Sequence, residues 1–97
     1  MYIQMRFEWD EEKNRANRAK HKISFENAQR VFDDPDAIAF SERVVEEEER
    51  WQTIGIVDGQ SIVTVAHTIR EESGAEVIRI ISARKATPME RSLYFYD

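Results

Sequence analysis

Cysteine is absent from the 97 residues, which excludes disulfides and thiolate-bound metal and fits a reducing compartment. Only two histidines, His21 and His67, are present, too few for a usual structural zinc site. No run of roughly eighteen apolar residues occurs, so no membrane-spanning helix is expected. Met1 to Phe7 lacks the charged start and long apolar run of a secretory signal, and a cytoplasmic location is the expectation. A glycine-rich phosphate loop and a nucleophile elbow are also missing. Asp33, Asp34 and Asp36 could ligate magnesium, but they straddle a helix end and Pro35, and a solvated acidic turn is the simpler reading. Chemistry here is expected to use side-chain acids, bases and cations, with no metal and no cofactor.

What is present suits one domain over residues 1–97. Apolar residues make up 41% of the chain and charged residues 34%, enough for one modest core under a well-solvated surface. The net charge of −5 argues against nucleic acid, whose phosphates are met by Lys and Arg. The distribution softens that objection. From Lys13 to Arg30, six basic residues stand against Glu26, a sum of +5; from Asp33 to Glu49, eight acidic residues stand against Arg43, a sum of −7. Such asymmetry can create one basic face on an acidic protein, or can mean only a solvated helix and a solvated loop.

Alternation over residues 2–8 predicts a strand. Asp10 reads as an N-cap, with Glu11 and Glu12 in the first turn of a helix running to about Lys20, packed through a narrow stripe of Ala16 and Ala19. Ser24 opens a second helix through Phe25, Ala28, Val31 and Phe32, ended before Pro35. Strands are predicted at 37–45, 50–57, 60–69 and 76–84, with Asp58-Gly59 as a two-residue hairpin turn. Thr87-Pro88-Met89-Glu90 reads as a capping box opening a short final helix through Tyr94. The expected fold is α+β: an antiparallel four- to five-stranded meander with two N-terminal helices and one short C-terminal helix.

Two constellations could carry chemistry. Lys13, Asn17, Lys20 and His21 fall along one side of the first helix, either as an ordinary solvated face or as a cationic surface. Imidazole titrates near neutrality, as a general acid or base requires. In the last strand, an arginine among isoleucines needs a carboxylate or a phosphate as partner. Arg84 could pair with Glu90 or meet a ligand. Alternation puts Arg79 and Arg84 on opposite faces of an ideal strand, so unless a bulge or strand end intervenes only one of them can meet a ligand, Arg84 in preference. Arg50 beside Trp51, with Tyr94 and Tyr96, could hold an unstacked base or belong to the core. The acidic residues 42–49 either meet a basic partner or guard a sheet edge.

In order, Phe7-Glu8-Trp9-Asp10, Lys13, Asn17 and Lys20-His21-Lys22-Ile23-Ser24-Phe25-Glu26 resemble the N-terminal signature of the BrnT family of type II toxins. Glu49-Arg50, Gly55, Arg79-Ile80-Ile81-Ser82-Ala83-Arg84-Lys85-Ala86, Glu90-Arg91 and Tyr94 resemble its C-terminal one. The ordered set covers nearly the whole chain. One departure is Lys22, where the family usually has glycine; a position needing positive φ would hold lysine under strain.

The resemblance implies a RelE-like fold, ribonuclease activity that blocks translation, and neutralisation by a BrnA-type antitoxin in a hetero-oligomer. That antitoxin is a DNA-binding ribbon-helix-helix protein, so operator DNA would be bound only through it. RNA supplies its own nucleophile, the 2′-hydroxyl, and a metal-independent cut needs a base, an acid and cations on the phosphorane. The expected catalytic residues are His21, Arg79, Arg84 and Tyr94, and the expected RNA-binding residues are Lys13, Lys20, Arg50 and Lys85. The rival expectation is a non-catalytic acidic module that regulates a protein partner.

Overall fold

The computed structural model describes residues 4–96, so the first two residues of the strand predicted at 2–8 lie outside the described residues. Strand β1, Gln4–Glu8, leads into helix α1, Glu11–His21. Asp10 caps it, its carboxylate accepting from the amides of Glu12 and Lys13, while Glu11 and Glu12 suit the positive end of the dipole. The helix stops at Lys22, which takes the left-handed conformation at φ 63°, the strain anticipated for a lysine in a glycine's position. Ser24 then caps α2, Phe25–Ala28. The expected longer second helix is a single α-turn continued by a tighter 3₁₀ turn, Gln29–Asp33.

Four strands follow as an antiparallel meander: β2, Ile38–Val45; β3, Glu48–Val57; β4, Ser61–Glu72; β5, Ala75–Lys85. Asp58 and Gly59 both have positive φ, 56° and 69°, as a type I′ turn requires. Glu46 and Glu47 make a second tight turn with both φ values positive, so the acidic run sits on an edge hairpin. Helix α3, Pro88–Tyr96, closes the chain through the predicted capping box: Thr87 and Glu90 bond each other's amide through their side chains.

Strand β1 corrects the all-antiparallel expectation. The sheet order is β1-β5-β4-β3-β2, and β1 pairs parallel to β5. The chain crosses from β1 by way of α1 and α2 to the far edge of the sheet, and only a long connection of that kind permits a parallel pair.

One sheet face packs on Phe25, Ala28 and Val31 with Val57, Val63, Val65, Ile78, Ile80 and Ala83 as core. Gly55 lies where a Cβ would come within 2.9 Å of the Val31 side chain and 3.1 Å of its carbonyl; glycine lets the 3₁₀ turn sit directly on β3. Helix α1 differs from the expected alanine stripe. Ala16 and Ala19 are exposed, and the residues it buries are Asn14 and Asn17. An amide both donates and accepts, so it can be buried where partners surround it.

Candidate functional site

Beyond Arg79, β5 loses its neighbour β1, which leaves residues 80–85 along an open edge. Asn17 seals that edge: its amide donates to the Ala83 and Ile23 carbonyls, at 2.8 and 2.9 Å, and accepts from the Ala83 N–H at 3.1 Å. Asn14 ties α1 to α2, accepting from the Phe25 amide and donating to Glu11 and Glu26. Helix α1 is thereby fixed alongside β5, and its outer residues reach the strand.

That contact forms an open groove lined by Lys13, Lys20 and His21 from α1 and by Ile81 and Ser82 from β5. Among the described residues, no carboxylate lines it. Neither lysine is ion-paired among the described residues. His21 also lines a second, adjoining cavity together with Lys85. Four of the expected residues are therefore brought to one region: Lys13, Lys20 and His21 along one side of α1, from its first turn to its last residue, with Lys85 beside His21.

The other four lie elsewhere. Strand β5 contains one extra residue, Ile81, between its pairings of Ser82 with Ala66 and Ile80 with His67. This bulge corrects the alternation: Arg79 and Arg84 pair with Thr68 and Thr64, even-spaced positions of β4, so both guanidinium groups project from the same face. It is the face opposite the core helices, and both groups are already engaged. Arg84 makes a bidentate pair with Glu90 at 2.7 and 3.0 Å, and Arg79 meets Glu48 at 2.7 Å. The fork geometry suits a carboxylate, and through it Arg84 holds Glu90 down to about 2. Glu90 also accepts from Thr64, which staples α3 to the sheet. Arg50 pairs in register with Arg43; its Nε is buried with no hydrogen-bond partner among the described residues. Tyr94 donates to Asp34 at 2.7 Å, a bond that pushes the phenol up to about 12.

Sequence reasoning missed Asn14 and Asn17 as the clamps of the site. Their signal was two amides three residues apart in a helix otherwise made of alanine and charged residues. It also missed Asp34, whose carboxylate accepts from the Ile56 and Asp36 amides as well as from Tyr94 and so is a structural hub. No group of carboxylates and histidines among the described residues could hold a metal ion, and no helix there is long and apolar enough to cross a membrane.

The family model for BrnT, the ribonuclease toxin of type II toxin–antitoxin systems, matches residues 9–90. Among solved structures, the fold is similar to the ribonuclease toxin BrnT of Brucella abortus, with a TM-score of 0.64 and 24% identity over 88% of this chain and 99% of that one. No curated protein matches the chain. The likeness in coordinates shows the α+β fold, and the family match spans most of the sequence. The chain belongs to the BrnT family of ribonuclease toxins of type II toxin–antitoxin systems.

Proposed function

We propose that this chain is a metal-independent endoribonuclease that cuts in the groove between α1 and the open edge of β5. The observation that carries this reading is the gathering of His21, Lys13 and Lys20 on one surface with no carboxylate in its lining among the described residues. His21 takes the proton of the 2′-hydroxyl, the 2′-oxygen bonds to phosphorus, and the bond to the 5′-oxygen breaks. Ammonium groups of Lys13 and Lys20 offset the charge on the phosphorane, and Lys20 supplies the proton to the departing oxygen. Lys85 holds the backbone on the far side of His21. Arg79, Arg84, Arg50 and Tyr94 contribute to the sheet face and to the docking of α3, and take no part in the cut while Glu48, Glu90 and Asp34 hold three of them.

In the cell the chain acts in the cytoplasm, where cutting RNA stops translation. A BrnA-type antitoxin neutralises it as a hetero-oligomer and carries the complex to operator DNA. A RelE-like arrangement fits α2 and the 3₁₀ turn packed on one face of the meander, with α1 alongside β5.

Incubation of the purified chain with RNA in chelator tests the reading. Wild type should cut and leave 2′,3′-cyclic phosphate ends, and 2′-deoxy substitution at the scissile position should stop it. His21→Ala should lose about 100-fold or more, whereas Arg84→Ala, corrected for any loss of folded protein, should keep most of the rate. A magnesium requirement with 5′-phosphate products would overturn the scheme. A collapse of activity in folded Arg84→Ala would move the site to the opposite face.

A further inference from the structure

The cavity that adjoins the proposed cutting groove lies between the α1–α2 link and the β3–β4 hairpin, and has a volume of about 200 Å³. Its apolar side is built by Ile23, Val57 and Val63, the two valines being part of the buried core. Its polar side carries Asn27, Gln60 and Ser61. The side-chain amides of Asn27 and Gln60 and the Ser61 hydroxyl have no hydrogen-bond partner among the described residues: the bonds made by Asn27 and Gln60 there come from their backbone amides. His21 lines both this cavity and the groove of Lys13 and Lys20.

We infer that this cavity is a nucleobase pocket, which receives the base next to the scissile phosphate and sets the sequence preference of the cut. The inference rests on the groove reading above and deepens it.

Size comes first. The volume falls below the roughly 300–1,000 Å³ of pockets made for drug-sized ligands, so it suits a single ring system, not a whole nucleotide. Chemistry agrees. A base is flat and apolar on its faces and carries donors and acceptors on its edge, and single-stranded RNA is read by splaying such bases into protein sites. Two amides and a hydroxyl offer both donors and acceptors to one edge, while the valines and Ile23 receive a face. A phosphate would suit this wall poorly, because Asp58, already paired with Arg30, adds a carboxylate to the lining. Two exposed cations, Lys22 and Lys85, are also in the lining and supply charge for the RNA backbone that carries the base. The left-handed turn at Lys22 redirects the chain from α1 into the cavity wall at Ile23.

The test uses wild-type protein and short 2′-O-methyl RNA trinucleotides, which cannot be cut, with each of the four bases in turn at one position. Fluorescence anisotropy should show one base preferred over the others on the order of tenfold, the scale of a paired hydrogen-bond reading of a base edge. Asn27→Ala and Gln60→Ala, both exposed positions, should level that ranking while leaving the salt dependence of binding unchanged. Equal binding of all four bases, or a ranking unmoved in both variants, would overturn the inference. So would variants that weaken antitoxin binding and leave base ranking intact, since the pocket would then serve a protein side chain. Base-selective binding without cutting would remove the ribonuclease mechanism and leave the pocket standing; cutting without any preference would do the converse.

Discussion

Asn17 holds Ala83 by both of its backbone groups, donating to the carbonyl at 2.8 Å and accepting from the amide at 3.1 Å. A side chain thus does at the open edge of β5 what a neighbouring strand does elsewhere in the sheet. The same contact sets the distance between the helix that carries His21 and the strand that carries Ser82.

Removing that clamp should be costly. Asn17→Ala leaves a buried N–H and C=O of Ala83 without partners, a loss of about 2–4 kcal/mol. Lys13→Ala, exposed on the same helix, should change stability by no more than about 0.5 kcal/mol. Urea unfolding of the two variants measures the difference. If Asn17→Ala unfolds at the wild-type midpoint, the amide does not hold the helix to the strand.

His67 should make the fold sensitive to mild acid. Its ring is fully buried, hydrogen-bonded to Thr53 at 2.7 Å and packed edge-on against Phe32. Burial pushes its pKa down from 6.5 to about 4. Below pH 6.5 the unfolded chain takes up a proton that the folded chain refuses, so stability falls from pH 6.5 to about 4 and then levels. The full drop is about 3 kcal/mol. Glu90, held at about 2 by Arg84, contributes in the same direction over a lower window, from about pH 4.5 to 2. Unfolding free energies at several pH values should show the upper slope in wild type and lose it in His67→Gln. A wild-type curve flat between pH 4 and 6.5 would contradict this account.

Lys22 should be replaceable to advantage. At φ 63° a lysine carries left-handed strain that glycine avoids. Lys22→Gly should raise stability by about 0.5–1 kcal/mol, which a thermal melt resolves as a few degrees in a domain of this size. Lys22→Ala, which keeps the strain and loses the contact of the ammonium with the Ala19 carbonyl, should give no gain. Equal behaviour of the two variants would mean that the turn is not strained.

Several features of this fold were readable because they are local. Asp10, Ser24 and Thr87 each bond amides two or three residues away, and the Asp58-Gly59 turn needs only its own two dihedrals. The cationic stripe of Lys13, Lys20 and His21 was legible for the same reason, since helical spacing alone puts them on one side. The ordered motifs also carried the family. Asn14 and Asn17 were not legible as clamps, because their partners are assembled from α2 and β5.

The sequence alone determined most of the elements, the caps at Asp10, Ser24 and Thr87, the Asp58-Gly59 turn, and the surface on which the basic residues of α1 lie, all set within a few residues of chain. Only the tertiary structure decided that β1 runs parallel to β5, and that Arg79 and Arg84 share a face and are held by Glu48 and Glu90. The reason is parity: one added residue, Ile81, reverses which side every later side chain takes. Whether a residue is added there depends on pairing with a strand elsewhere in the chain, which no short stretch of sequence records.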